Sequence, residues 1–232
     1  MKTRLLFFSI AVSAAMPALA KVKYFTLKEL ADTADAIVVA TMASEDGESL
    51  AEIQRTIKGT VGEESVKVWM DFEWMHNAVE FTDGERVVLF LNPADPDGRR
   101  KLRGSDDQGK WPKTQANWRY TVAYTSSLER VEAVVAELVR VRDRKAEAEA
   151  FVKDLLNSKL AFDQVIALEC LVEPEFVELR EELAAAIDTF AESPDPAFKR
   201  SAGGVKWQMK QDALRKEFEA RRQEILSRQR EK

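Results

Sequence analysis

One cysteine, Cys170, and one histidine, His76, are all that 232 residues offer, and the shortage removes whole classes of chemistry. A lone cysteine cannot close a disulfide within the chain, so stability has to come from packing. A lone histidine leaves a histidine-rich metal centre or a hydrolytic triad with one member of its set. Glycine and proline, at 9 and 7 residues, are too sparse for a collagen-like or linker-like chain. There is no basic excess either: 35 Lys and Arg stand against 40 Asp and Glu. That balance argues against a general nucleic-acid binder, and no nucleic-acid partner is expected. What is plentiful is apolar and charged residues together, at 45% and 32%, the mixture of a folded chain with a sizeable core.

Lys2 and Arg4 precede an apolar run over residues 5–15, Pro17 breaks it, and Ala18-Leu19-Ala20 supplies a small-residue cleavage site. The pattern predicts a secretory leader over residues 1–20, cut after Ala20, and a periplasmic or secreted mature chain that starts at Lys21. The run is shorter than the ~20 residues a membrane helix needs, so no membrane span is expected. No cysteine stands at the cut to carry a lipid.

Residues 21–125 read as a small antiparallel β-barrel with a short N-terminal helix, and residues 126–232 as a helical region, an α+β arrangement. Thr26-Leu27-Lys28-Glu29 has capping-box spacing and predicts a helix over residues 27–34. The β-branched run 36–42 and the alternating run 52–57 predict a hairpin through Asp46-Gly47. In residues 65–72, Val66, Val68, Met70 and Phe72 share one face, while Trp69 falls on the nominally polar one and suggests that something covers it. Residues 86–91 form a nearly continuous apolar strand, and a further strand pair is expected at 99–103 and 118–124. Downstream, Ser126-Ser127-Leu128-Glu129 reads as a second capping box. Leu128, Val131, Val135 and Leu138 then mark an amphipathic helix running to about residue 157 with an interruption near Arg142. Helices are also expected over 162–172, over 174–191, and from Val205 to about Arg228 after a weak point at Gly203-Gly204.

The order of Ala34-Asp35-Ala36-Ile37-Val38-Val39, Ile57-Lys58-Gly59, residues 81–91 and Gln108-Gly109-Lys110 is similar to one in many exported bacterial proteins of unassigned function. Over residues 31–120 it also resembles the small barrel of netrin modules and tissue inhibitors of metalloproteinases. The resemblance implies a barrel of the oligonucleotide/oligosaccharide-binding or netrin-like type. It does not bring inhibition with it. Those inhibitors present an N-terminal cysteine to the protease zinc and staple the barrel with disulfides, whereas this mature chain begins at Lys21 and holds only Cys170.

The candidate chemistry is thin. Residues 104–111 are polar, glycine-bounded and end in an aromatic. There Asp106, Asp107 and Lys110 would orient a ligand stacked on Trp111, or Trp111 tucks onto the barrel and the loop is a solvated connection. Asp71, Glu73 and His76 could supply oxygen and nitrogen donors to a metal-assisted hydrolase, at a spacing that matches no metal motif. Cys170, on one helical face with Ile166, reads as a buried structural thiol. No G-x-S-x-G elbow is present, and neither a catalytic residue, a metal nor a cofactor is expected. In the C-terminal segment, Trp207, Leu214, Phe218 and Ile225 are spaced by seven, four and seven. That stripe suits docking on the protein's own body, with self-association or assembly as the alternative to a monomer. The reading is a noncatalytic binding module of the bacterial envelope with a protein or glycan partner.

Overall fold

The computed structural model describes residues 25–45, 47–69, 81–104, 109–111 and 126–230. The leader expected over residues 1–20, Asp46, the strand expected at 118–124 and the boundary expected near residue 125 lie outside the described residues.

Helix α1 (Leu27–Thr33) opens with the capping box read from sequence: Glu29 N donates to Thr26 Oγ1 at 3.0 Å and Thr26 N donates to Glu29 Oε2 at 2.9 Å. Strands β1 (Ala36–Glu45) and β2 (Glu48–Lys58) form the hairpin, with Glu45 opposite Glu48 and Gly47 at φ 79°, where a side chain would be strained. Strands β3 (Ser65–Trp69), β4 (Arg86–Ala94) and β5 (Arg100–Leu102) complete a closed five-stranded barrel in the order β1-β2-β3-β5-β4, with β4 returning to β1. Four seams are antiparallel and the β3–β5 seam is parallel. A closed ring of five strands demands this, because directions cannot alternate around an odd number. Strand β6 (Lys110–Trp111) pairs with Val88 and Leu89, and so shares with β5 the edge of β4 that β1 leaves open.

Strands β1 and β4 are buried on both faces, and alternation divides their side chains. Val38, Ala40, Met42, Val87, Leu89 and Leu91 fill the barrel with Val66, Val68 and Leu102. Ile37, Val39, Val88 and Phe90 point the other way, into one cluster with Val135, Leu155, Ile166 and Val205 of the helices. This explains why these two strands read as apolar runs rather than as alternating ones. Polar pairs tie the layers at the rim: Glu132 lies 2.9 Å from Arg55 of β2 and 2.5 Å from Arg86 of β4.

The helical region comprises α2 (Leu128–Val141), α3 (Lys145–Leu156), α4 (Ala161–Cys170), α5 (Val177–Glu182), α6 (Ala184–Ala191) and α7 (Pro196–Arg230), with a 3₁₀ turn at Pro174–Phe176. The interruption expected near Arg142 separates α2 from α3. Three expectations shift. The cap of α2 is Ser127 rather than Ser126, and its side chain accepts from Arg130 N. The segment 174–191 is broken into the 3₁₀ turn, α5 and α6, with Leu183 at φ −95° and ψ 12° between the last two. Helix α7 runs unbroken through Gly203-Gly204. Helix propensity is a weak local preference of about 1 kcal/mol per glycine, and burial of the neighbouring Ala202 and Val205 against the bundle overrides it.

Candidate functional site

The loop singled out from sequence is reached through β5. Gly109 is required there because a Cβ would stand 2.5 Å from the carbonyl oxygen of Arg103. Close approach of the two backbones lets β6 lie along β4, and alternation then sends its two side chains to opposite layers. Lys110 stands opposite Leu89, a barrel residue, and is fully buried. Its Nζ lies 2.7 Å from Glu85 Oε2 and 5.2 Å from the centre of the Phe81 ring. Trp111 stands opposite Val88, on the helical side, is 4% exposed, and meets Phe162 edge to face at 5.9 Å. Trp111 therefore lies on the barrel, under the helical layer, and a ligand could reach neither side chain while β6 stays paired. Asp106 and Asp107 lie outside the described residues, as do Asp71, Glu73 and His76. Among the described residues no group of three or more His, Cys, Asp and Glu is placed to hold a metal ion.

Trp69 remains on the outer face of β3, 39% exposed, with the Lys101 ammonium 5.5 Å from its ring centre. Cys170 is completely buried, and burial pushes its thiol far above the usual range, which leaves no thiolate for nucleophilic work.

A cleft of about 410 Å³ lies between α1, the α2–α3 turn and the 3₁₀ turn, bordered by Lys28, Asp32, Arg142, Lys145, Glu175 and Phe176. Its charges neutralise one another. Lys28 Nζ is 2.5 Å from Asp32 and 2.7 Å from Glu175; burial works against its charge, but these two carboxylates outweigh it and push its pKa up to about 12. Lys145 Nζ is 2.7 Å from Glu178. Nearby Glu173 is raised to about 7, first by burial and then by the negative charge of Glu29. A wall of closed ion pairs favours structure over ligand capture.

Among the described residues, most of the large apolar side chains left open to solvent lie on α7. The inner face, carrying Ala202, Val205, Met209 and Asp212, packs on the bundle. Two residues missed at the sequence level hold it there. Arg180 of α5 is fully buried, donates to the carbonyl oxygens of Leu171 and Glu173 at 2.6 and 2.8 Å, and pairs with Asp212. In a segment as charged as 173–182, nothing in the spacing set Arg180 apart from solvated neighbours. At 3.6 residues per turn, Trp207, Leu214, Phe218 and Ile225 fall about 180° away from that inner face. They are 61%, 50%, 70% and 58% exposed. The stripe found by spacing is real as a face of the helix, but it points away from the body on which it was expected to dock. Beyond Asp212 the helix is exposed on all sides as far as Arg228.

Set against known proteins, the chain matches no family model and no curated protein. The roles of its residues therefore rest on the geometry. Among the described residues, no helix is long and apolar enough to cross a membrane.

Proposed function

We propose that this protein is a noncatalytic interaction module of the bacterial envelope, and that its contact surface is the outward stripe of α7. One observation carries the reading: four large apolar side chains share one side of α7, Trp207 opposite the anchored face and Leu214, Phe218 and Ile225 on the exposed stretch beyond it. Exposing several large apolar side chains on one helix face costs solubility, and surfaces that keep such a face do so as partner sites. The leader pattern of residues 1–20 supports an envelope location. The barrel serves as a rigid base, since its interior is filled by its own side chains and its β1–β4 wall by the helical layer. Lys110 and Trp111 stabilise that base.

Cross-linking in intact cells tests the reading. The wild-type chain should be trapped in larger species, and Leu214→Glu combined with Phe218→Glu should abolish them without lowering the amount of folded protein. Identical cross-linked species from both chains would overturn the α7 surface.

A further inference from the structure

The row on α7 has a symmetry that identifies what covers it. Read from either end, Trp207, Leu214, Phe218 and Ile225 are separated by seven, four and seven residues, so the pattern maps onto itself under a two-fold axis beside residue 216. We infer that α7 pairs antiparallel with α7 of a second copy of this chain, an inference that rests on the contact surface proposed above. About that axis Leu214 meets the partner copy's Phe218 and Trp207 meets its Ile225, each pair twice. The two polar interruptions of the stripe, Gln211 and Arg221, fall opposite each other, so no apolar layer is spent against a polar one. The overlap from residue 204 to residue 228 is about 36 Å of helix, some three and a half heptads.

Charge selects the antiparallel arrangement over the parallel one. On either side of the axis, residues 204–215 carry three basic groups and one acidic, while residues 217–228 carry three of each. A parallel pair would lay the basic end on the basic end; the antiparallel pair lays it on the balanced half. Lys210 and Glu224 flank the stripe on one side and are brought opposite each other, twice. Glu217 and Arg215 come near their own copies at the axis, and each has a partner within its helix, Arg221 at 2.6 Å and Asp212 at 4.0 Å. The bodies do not interfere, because each lies on the inner side of its own α7 and at the opposite end of the pair.

Light scattering of the purified full chain over a concentration series tests the pairing. The wild-type chain should pass from one to two copies per particle as concentration rises. Leu214→Glu with Phe218→Glu should raise the dissociation constant at least ~100-fold. Arg221→Leu, which fills an interruption, should lower it ~10-fold or more. Orientation is read by oxidising single-cysteine variants, with Cys170 buried out of reach. Trp207→Cys and Ile225→Cys should each stay uncross-linked alone and form a disulfide-linked dimer when mixed. Trp207→Cys linking to itself would mean parallel pairing and overturn the inference, as would a wild-type chain that stays single throughout. In that last case, loss of the in-cell cross-links in the Leu214/Phe218 variant leaves the contact surface standing with another partner, whereas their persistence removes both.

Discussion

Helix α7 holds the same chemistry in two settings. Midway along it Asp212 pairs with Arg180 in the interior, both almost fully buried; near its end Glu224 pairs with Arg228 in open solvent at 2.5 Å. The buried pair fixes α7 against α5 and satisfies two backbone carbonyls, those of Leu171 and Glu173, at the end of α4. The exposed pair links one turn of the helix to the next. Burial, not the identity of the charges, decides which of them the fold depends on, because desolvation makes a broken interior pair costly and solvent makes a surface pair nearly redundant.

The largest effect should come from breaking the interior pair. Arg180→Ala takes from the buried Asp212 its close cation and removes a donor from the carbonyls of Leu171 and Glu173, and should cost about 3–5 kcal/mol in denaturant unfolding. Replacing both partners together, Arg180→Met with Asp212→Leu, should recover most of that loss. If the double replacement were as damaging as the single one, the pair would be acting through its shape rather than its charge.

How far the sequence reveals this division depends on whether the cause is local. Runs 36–42 and 86–91 were legible as buried strands because both faces are covered, which leaves no polar alternation to read. The Thr26–Glu29 cap was legible because it lies within four residues. Strand β6 was not: two residues carry no periodicity, and the burial of Lys110 depends on Glu85, twenty-five positions away. The stripe on α7 could be found by spacing, but its direction could not. That is set by Ala202, Val205 and Met209 meeting the bundle on the other side.

A smaller effect tests the surroundings of the anchor. Glu173, whose carbonyl accepts from Arg180, titrates near 7 when folded against an ordinary value of 4.5. Between those values the folded chain holds a proton that the unfolded chain has released, so stability falls as pH rises from about 4.5 to about 7 and stays lower above that. Glu173→Gln should remove this slope. It should leave stability at pH 4 unchanged and raise it at pH 8 on the order of 1 kcal/mol, the half-buried position being partly screened by solvent. Parallel stability–pH curves for the two chains would show that Glu173 is not the titrating group.

Gly203 lies on the anchored half, where a Cβ would meet nothing within 4 Å. Gly203→Ala should therefore stabilise by about 0.5–1 kcal/mol, through the lower entropy of its unfolded chain and its better helix propensity. A loss of stability there would mean that the unbroken path of α7 past Gly203-Gly204 carries strain.

The smallest effect belongs to the exposed pair. Arg228→Ala removes the contact with Glu224 and should change unfolding stability by no more than ~0.5 kcal/mol, measured at a concentration where the chain is single. The ratio between this value and that for Arg180→Ala is the sharper quantity, since both remove an arginine that pairs with a carboxylate of the same helix. A ratio near one would mean that the distal turns of α7 are packed on something. If the loss at Arg228 grew with protein concentration while the loss at Arg180 did not, the covering surface would be another copy of the chain.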